Sequence, residues 1–189
     1  MKTSPELSIT ENACASQDCA GDGCTHRLAD GTEVVVRPLS RVDNARERDF
    51  LERLSPESRA FRFLGPLKIT DKIVASLTAV DPSRDTAMVA LVREKDGKLL
   101  EIGVARFSTE EAARRGECAV VVSDDWQRKG VATLLMNHLI ADARKRGLLQ
   151  LYSIDVADNA GMRALAERLG FTRTRYPDYP GEVVHTLQL

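Results

Sequence analysis

The residues best placed to do chemistry lie in one stretch, Val120-Val121-Val122-Ser123-Asp124-Asp125-Trp126-Gln127-Arg128-Lys129-Gly130-Val131-Ala132-Thr133. It reads as a strand, a tight polar loop and the start of a long helix. A helix start presents unpaired backbone N–H groups and the positive end of the helix dipole, which together suit a phosphate or pyrophosphate. Gly130 lets the backbone approach an anion closely, and Ala132 does nearly the same with its small side chain. Arg128 and Lys129 add positive charge at the rim. The pattern is neither the Gly-Lys-Ser/Thr phosphate loop nor the three-glycine dinucleotide fingerprint. Spacing alone leaves open a plain amphipathic helix with a glycine in its first turn.

A second group of reactive side chains lies near the N-terminus. Cys14, Cys19 and Cys24 fall at five-residue steps, with His26 just beyond and Cys118 far away. Three thiols and an imidazole can make a tetrahedral zinc site. The steps are wider than the paired two-residue gaps of zinc modules, and no apolar pattern surrounds them. Residues 1–29 are therefore expected to be a flexible, solvated extension, with metal or redox chemistry, or a disulfide, as the alternatives. No metal is expected.

The elements that must position these residues follow from periodicity and punctuation. After the turn Asp30-Gly31, Glu33 to Arg37 is a β-branched run stopped by Pro38. Ser40 or Asp43 can cap a helix over about 41–54. Ser55-Pro56-Glu57-Ser58 opens a second, short helix ending at Gly65-Pro66, and a third runs from Thr70 towards Asp81-Pro82. Three strand-like runs follow, Thr86–Val92, Leu99–Phe107 and Cys118–Val122. The longest helix covers 129–147, with Val131, Ala132, Leu135, Met136, Leu139, Ile140 and Ala143 on one stripe and Gly147 ending it. A strand over Leu149–Val156, a helix over Asn159–Leu169, and strands at Phe171–Arg175 and Val183–Leu187 complete the chain. The order implies a mixed α/β (α+β) domain over 30–189, built around one sheet.

Gln127-Arg128-Lys129-Gly130-Val131-Ala132 resembles the Gln/Arg-x-x-Gly-x-Gly/Ala signature of the GNAT N-acetyltransferase superfamily. The helix that follows, then Asn159 and Leu169-Gly170-Phe171, sit where that family places its second signature region. The resemblance implies a GNAT-like, mostly antiparallel central sheet flanked by helices. It implies acetyl-CoA as co-substrate, held by the backbones of Val120, Val121 and Val122 and by Gln127, Arg128, Lys129, Gly130, Val131, Ala132 and Thr133, with Asn159 as a side-chain contact. Asn159 also suits a helix N-cap.

A nearer resemblance is to bacterial protein-lysine acetyltransferases of the Pat type. It rests on Leu28–Thr32, Arg37-Pro38-Leu39, Leu54–Arg59, Phe61-Arg62-Phe63 and Glu117–Val122. That resemblance makes Glu117 the general base and the amine of a protein lysine the acceptor. A lysine is neutral in only about one molecule in 2,500 at pH 7, so a base is needed. The role carries the expectation that Glu117 is partly buried with a raised pKa. A backbone N–H of residues 120–122 is expected to meet the oxyanion. Many family members use a tyrosine to protonate the departing thiolate. Here Ala166 stands at that position, which leaves the proton to water. Tyr152, Tyr176 and Tyr179 are expected to pack in the core or at a rim. Asp178 and Glu182 flank a loop that could rim the acceptor site, although solvated loop charges are the plainer reading. A small-molecule amine as acceptor, or a noncatalytic acyl-CoA sensor, are the competing readings.

Composition bounds the rest. The chain has 189 residues, 27 Lys plus Arg and 28 Asp plus Glu, for a net charge of −1. Near-balance removes the general attraction on which nonspecific nucleic-acid binding rests. No apolar run approaches the roughly 20 residues needed to span a bilayer, and no signal peptide is evident, so a cytoplasmic protein is expected.

Overall fold

The structure is a computed structural model, and it describes residues 23–110, 112, 114–176 and 179–189. One eight-stranded sheet organises these residues, in the order β1-β2-β3-β4-β5-β6-β8-β7. Its first half is an antiparallel run of β1 (Cys24–Arg27), β2 (Glu33–Pro38), β3 (Asp85–Arg93), β4 (Leu99–Glu110) and β5 (Arg115–Val122). Between β2 and β3 the chain forms α1 (Asn44–Arg53), α2 (Pro56–Phe63) and α3 (Asp71–Thr78). The second half holds α4 (Val131–Lys145), β6 (Gln150–Val156), α5 (Ala160–Arg168), β7 (Thr172–Arg175) and β8 (Glu182–Gln188). This is the mixed, mostly antiparallel sheet flanked by helices that the sequence implies.

Two apolar layers cover the sheet because strand side chains alternate between faces. Val89, Leu91, Val104 and Val121 pack with Phe50, Leu51 and Leu54 of the α1 region and with Val74 of α3. Ala90, Ile102, Phe107 and Val122 pack on the opposite face with the buried stripe of α4. Of the seven stripe residues expected from the sequence, six are buried and Ala132 is half-buried, each full burial contributing about 1.5–3 kcal/mol for the larger side chains. The entry to α1 differs from a simple cap. Asp43 is fully buried, its carboxylate accepting two bonds from Arg37 at 2.8 and 2.6 Å and one from the Ser40 amide at 3.0 Å.

One strand was not legible. Cys24–Arg27 lies within the expected extension, yet it pairs along its whole length with β2, so the sheet begins earlier than residue 30. Cys14 and Cys19 lie outside the described residues. Among the described residues no helix is long and apolar enough to cross a membrane.

Candidate active site

The site begins with a parting of strands. β5 and β6 are the parallel pair of the sheet, and they pair through only three residues, Arg115↔Gln150, Gly116↔Leu151 and Glu117↔Tyr152. Beyond Glu117 and Tyr152 the two strands continue without pairing. β4 satisfies one edge of β5, through partners such as Ala105↔Val120 and Gly103↔Val122, and the other edge of residues 118–122 faces the gap. A parallel pair needs a long crossover, here α4, and the crossover's first turn lies at the mouth of that gap. A crevice of about 690 Å³ fills the wedge, lined by Val120–Val122, Gly130, Thr133 and Asn159 among others.

The loop that leads into α4 is held from several sides. Asp124 accepts hydrogen bonds from the Ser55 amide at 2.9 Å, the Ser55 hydroxyl at 2.7 Å and the Ser58 hydroxyl at 2.8 Å. Partial burial opposes its charge, but these donors outweigh burial and hold its carboxyl below the ordinary value. Gln127 donates to the Ser58 hydroxyl at 3.1 Å and to the Val122 carbonyl at 3.3 Å, so its side chain braces the loop. Serine 55 also caps α2, accepting from the Ser58 amide. The loop and the N-terminus of α2 thus form one rigid rim of the crevice, a connection that residues 69 apart in sequence do not advertise.

Arg128 (φ 59°) and Gly130 (φ 92°) both adopt left-handed backbone conformations. Alternating conformations of this kind turn successive N–H groups towards one concave spot. Gly130 is the N-cap of α4, contributes no side-chain cap, and no acidic residue occupies the first turn. The first amides of α4 therefore keep their hydrogens free of side-chain caps while their neighbours are cationic. Nothing lies within 4 Å of where a Cβ on Gly130 would sit, so φ rather than space demands glycine. Lys129 places its ammonium 4.6 Å from the centre of the Trp126 ring, which orients Trp126 at the crevice wall. Together with the open β5 edge, this concave row of amides suits an extended ligand with an anionic end.

At the closed end of the wedge stand Glu117 and Tyr152. Glu117 is exposed, contrary to the expected partial burial, because it lies near the start of β5, where the sheet end is open. Tyr152, half-buried, donates its phenolic hydrogen to Glu110 at 2.5 Å and lies 3.5 Å from Glu117. Burial, the Glu110 bond and the two carboxylates push its pKa above the ordinary value. Glu110 is in turn bound by Arg115 at 2.9 Å. A phenol has one hydrogen, and the short contact gives it to Glu110 rather than to Glu117.

Between the closed end and the mouth, the sequence reading missed two groups. Asp155 lines the crevice, is buried, and accepts the Ser153 hydroxyl at 2.8 Å. Burial raises its pKa, with the Ser153 bond and the nearby His185 and Arg62 charges pulling the other way. Arg62, on α2, also lines the crevice. Burial and then the Arg106 charge bring it down to about 10, against the attraction of Glu47, Glu117 and Asp155. Both signals were present as residue types, but only the sheet brings them to one place.

The other candidates separate cleanly. Asn159 caps α5, its side chain accepting from the Met162 amide at 2.9 Å while lining the crevice. Ala166 is buried in the core. Cys118 is buried beneath β5 and its thiol is pushed up to about 12 by burial and the nearby Asp155 and Glu117 charges, which removes it as a nucleophile at neutral pH. Tyr176 and Tyr179 stack on each other at 5.4 Å between ring centres, and Glu182 opens β8 opposite Val156. Asp178 lies outside the described residues.

A strand fork beside an uncapped helix start is a distinctive arrangement, and a family model agrees with it. The model of the acetyltransferase (GNAT) family matches residues 40–171. The chain belongs to this family. It is thus an N-acetyltransferase that uses acetyl-CoA and an amine acceptor. It is similar to Acetyltransferase PA5475 of Pseudomonas aeruginosa, 42% identical over 187 residues, covering 97% of this chain and all of that protein. It is also similar to Acetyltransferase Pat of Mycolicibacterium smegmatis, 37% identical over 141 residues, covering 74% of this chain and 41% of that one. Among solved structures, the GNAT domain of S. lividans PAT superposes with a TM-score of 0.79 at 27% identity, covering 88% of this chain and 96% of that one.

Proposed function

We propose that this GNAT enzyme transfers the acetyl group of acetyl-CoA directly to the side-chain amine of a protein lysine, with Glu117 as general base. The observation that carries the proposal is the fork itself. The wedge between β5 and β6 closes at Glu117, with the anion cradle at Gly130 at its mouth. A donor laid along the β5 edge with its diphosphate at that cradle brings its thioester towards the carboxylate.

The cradle amides of residues 128–133 and the Arg128 and Lys129 charges bind the diphosphate. The free edge of Val120–Val122 aligns the pantetheine arm, and one of its N–H groups faces the oxygen that gains charge during transfer. Asn159 fixes the start of α5 on the opposite wall. Glu117, exposed towards the open side of the sheet, takes the proton from an incoming ammonium directly or through one water. Water returns a proton to the departing thiolate, since Ala166 is buried and offers no hydroxyl. The Pat-type sequence features and the likeness to the S. lividans PAT domain favour a protein lysine over a small amine.

Labelled acetyl-CoA incubated with folded proteins, lysine peptides and a panel of polyamines, amino acids and amine drugs tests the acceptor. Label on lysine side chains at a kcat/KM well above that for any free amine is the expected outcome. Preferential labelling of a small amine would transfer the same chemistry to that acceptor class. Tight acetyl-CoA binding with no turnover on any amine would instead make the protein a sensor.

A further inference from the structure

Away from the crevice, three metal-ligating side chains meet between the edge strand and the long helix. Cys24 and His26 lie two residues apart on β1 and so project from the same face. His138 comes from the middle of α4, 112 residues further on. The Nε2 atoms of the two histidines are 2.9 Å apart, with the rings edge to face at 4.9 Å between centres. The Cys24 sulfur and one nitrogen of each imidazole all lie within 4.8 Å of one another.

We infer that Cys24, His26 and His138 form a redox-gated binding site for a zinc-class divalent cation. Two facing imidazole nitrogens can satisfy each other only when one of them carries a hydrogen, whereas a cation between them takes both lone pairs. Tetrahedral zinc with Zn–N near 2.0–2.1 Å and Zn–S near 2.3 Å needs edges of about 3.4 Å between nitrogens and about 3.6 Å from nitrogen to sulfur. The observed donors meet that with shifts of roughly half an ångström for the histidines and side-chain rotation for the cysteine. A thiolate and two imidazoles select a borderline-soft ion over magnesium or calcium, which take oxygen ligands. Water fills the fourth position.

Cys24 is disulfide-bonded in the structure, and that bond is the gate. A disulfide sulfur has no negative charge to offer a cation. A dithiol reductant delivers two electrons and two protons to the bond, becomes a disulfide itself, and leaves two thiols. Binding of the cation then releases the Cys24 proton to solvent and forms the sulfur–metal bond. The cation would join β1 to α4, the helix whose first turn forms the cradle. The inference stands independently of the acceptor and of Glu117.

The test uses the full chain, reduced with a dithiol and freed of it under anaerobic conditions. Zinc is titrated against a chromophoric chelator, and cobalt(II) is added in parallel to read sulfur ligation by its thiolate charge-transfer band. The expected result is one zinc per reduced chain, with affinity falling more than about 100-fold in His138→Gln, beyond the loss typical of outer-sphere changes. The cobalt band should be present in the reduced chain and absent both from Cys24→Ser and from the oxidised chain. Circular dichroism checks that His138→Gln folds, and His26→Gln replaces it if it does not. Absence of saturable zinc binding by the reduced chain overturns the inference. So does unchanged affinity in the histidine variant, a cobalt band that survives Cys24→Ser, or equal binding by the oxidised protein.

Discussion

The two ends of the wedge are built from different materials. At the mouth, the Gly130 cradle is made of backbone amides, and side chains such as Asp124 and Gln127 serve only to hold it. At the closed end, the fork is made of side chains: Glu117, Tyr152, Glu110 and Arg115 brought together by strand register. On the proposed function, backbone amides would bind an invariant group, the diphosphate, whatever residues surround them. On the same proposal, side chains would supply the proton chemistry, where identity and pKa decide the rate. The proposal therefore predicts that binding at the mouth tolerates most substitutions that keep φ, while the fork tolerates few that change a carboxyl.

The largest expected effect comes from removing the proposed base. Glu117→Gln keeps shape and loses proton acceptance, so kcat should fall by about 10²- to 10⁴-fold with KM for acetyl-CoA nearly unchanged. Full retention of kcat across neutral pH would assign the proton to another group. At the mouth, Gly130→Val forces a β-branched residue into a left-handed φ at a cost of about 1–2 kcal/mol. That predicts a 5–30-fold rise in KM for acetyl-CoA, by the same energies, with kcat for bound substrate largely kept. Calorimetry with CoA reads the affinity directly. A kcat loss matching that of Glu117→Gln would erase the proposed division between the two ends.

Tyr152→Phe is a finer probe of the fork. Its hydrogen is committed to Glu110, so the substitution should cost no more than about tenfold in kcat/KM, the scale of one hydrogen bond. A drop as deep as that of Glu117→Gln in stopped-flow or steady-state assays would make the phenol a proton donor. The smallest effect concerns Asp155, whose pKa burial raises. The folded chain then holds a proton that the unfolded chain has already released. Its contribution is complete below the ordinary value of 3.8 and declines as pH rises towards the folded value. Asp155→Asn mimics the protonated form. Its Tm should match the parent near pH 4 and exceed it by a few degrees at neutral pH, as differential scanning calorimetry would show. A parent more stable at neutral pH would mean that the charged carboxylate is paired more strongly than burial opposes it.

Legibility follows the range of the interactions. The α4 stripe, the Gly130 turn and the Ser55-Pro56 helix start were readable because each is settled within a few residues by periodicity, φ preference or capping. The strand β1 was not. Cys24-Thr25-His26-Arg27 offers no apolar alternation, and it is held as a strand by main-chain pairing with β2 at the sheet edge. The expected burial of Glu117 also failed, because exposure depends on where the neighbouring strand begins.

The amino-acid order by itself determined the family and the mixed sheet, since each rests on local pattern or on an ordered set of motifs, and it also supplied the proposals for the cradle and the base. Tertiary structure alone decided which groups stand beside one another. Tyr152 reaches Glu117 through a three-residue parallel pairing, Asp124 ties down α2, and His26 meets His138 across the edge of the sheet. These contacts join residues between 35 and 112 positions apart. Register and layer packing fix them, and neither quantity is carried by any short segment of the chain.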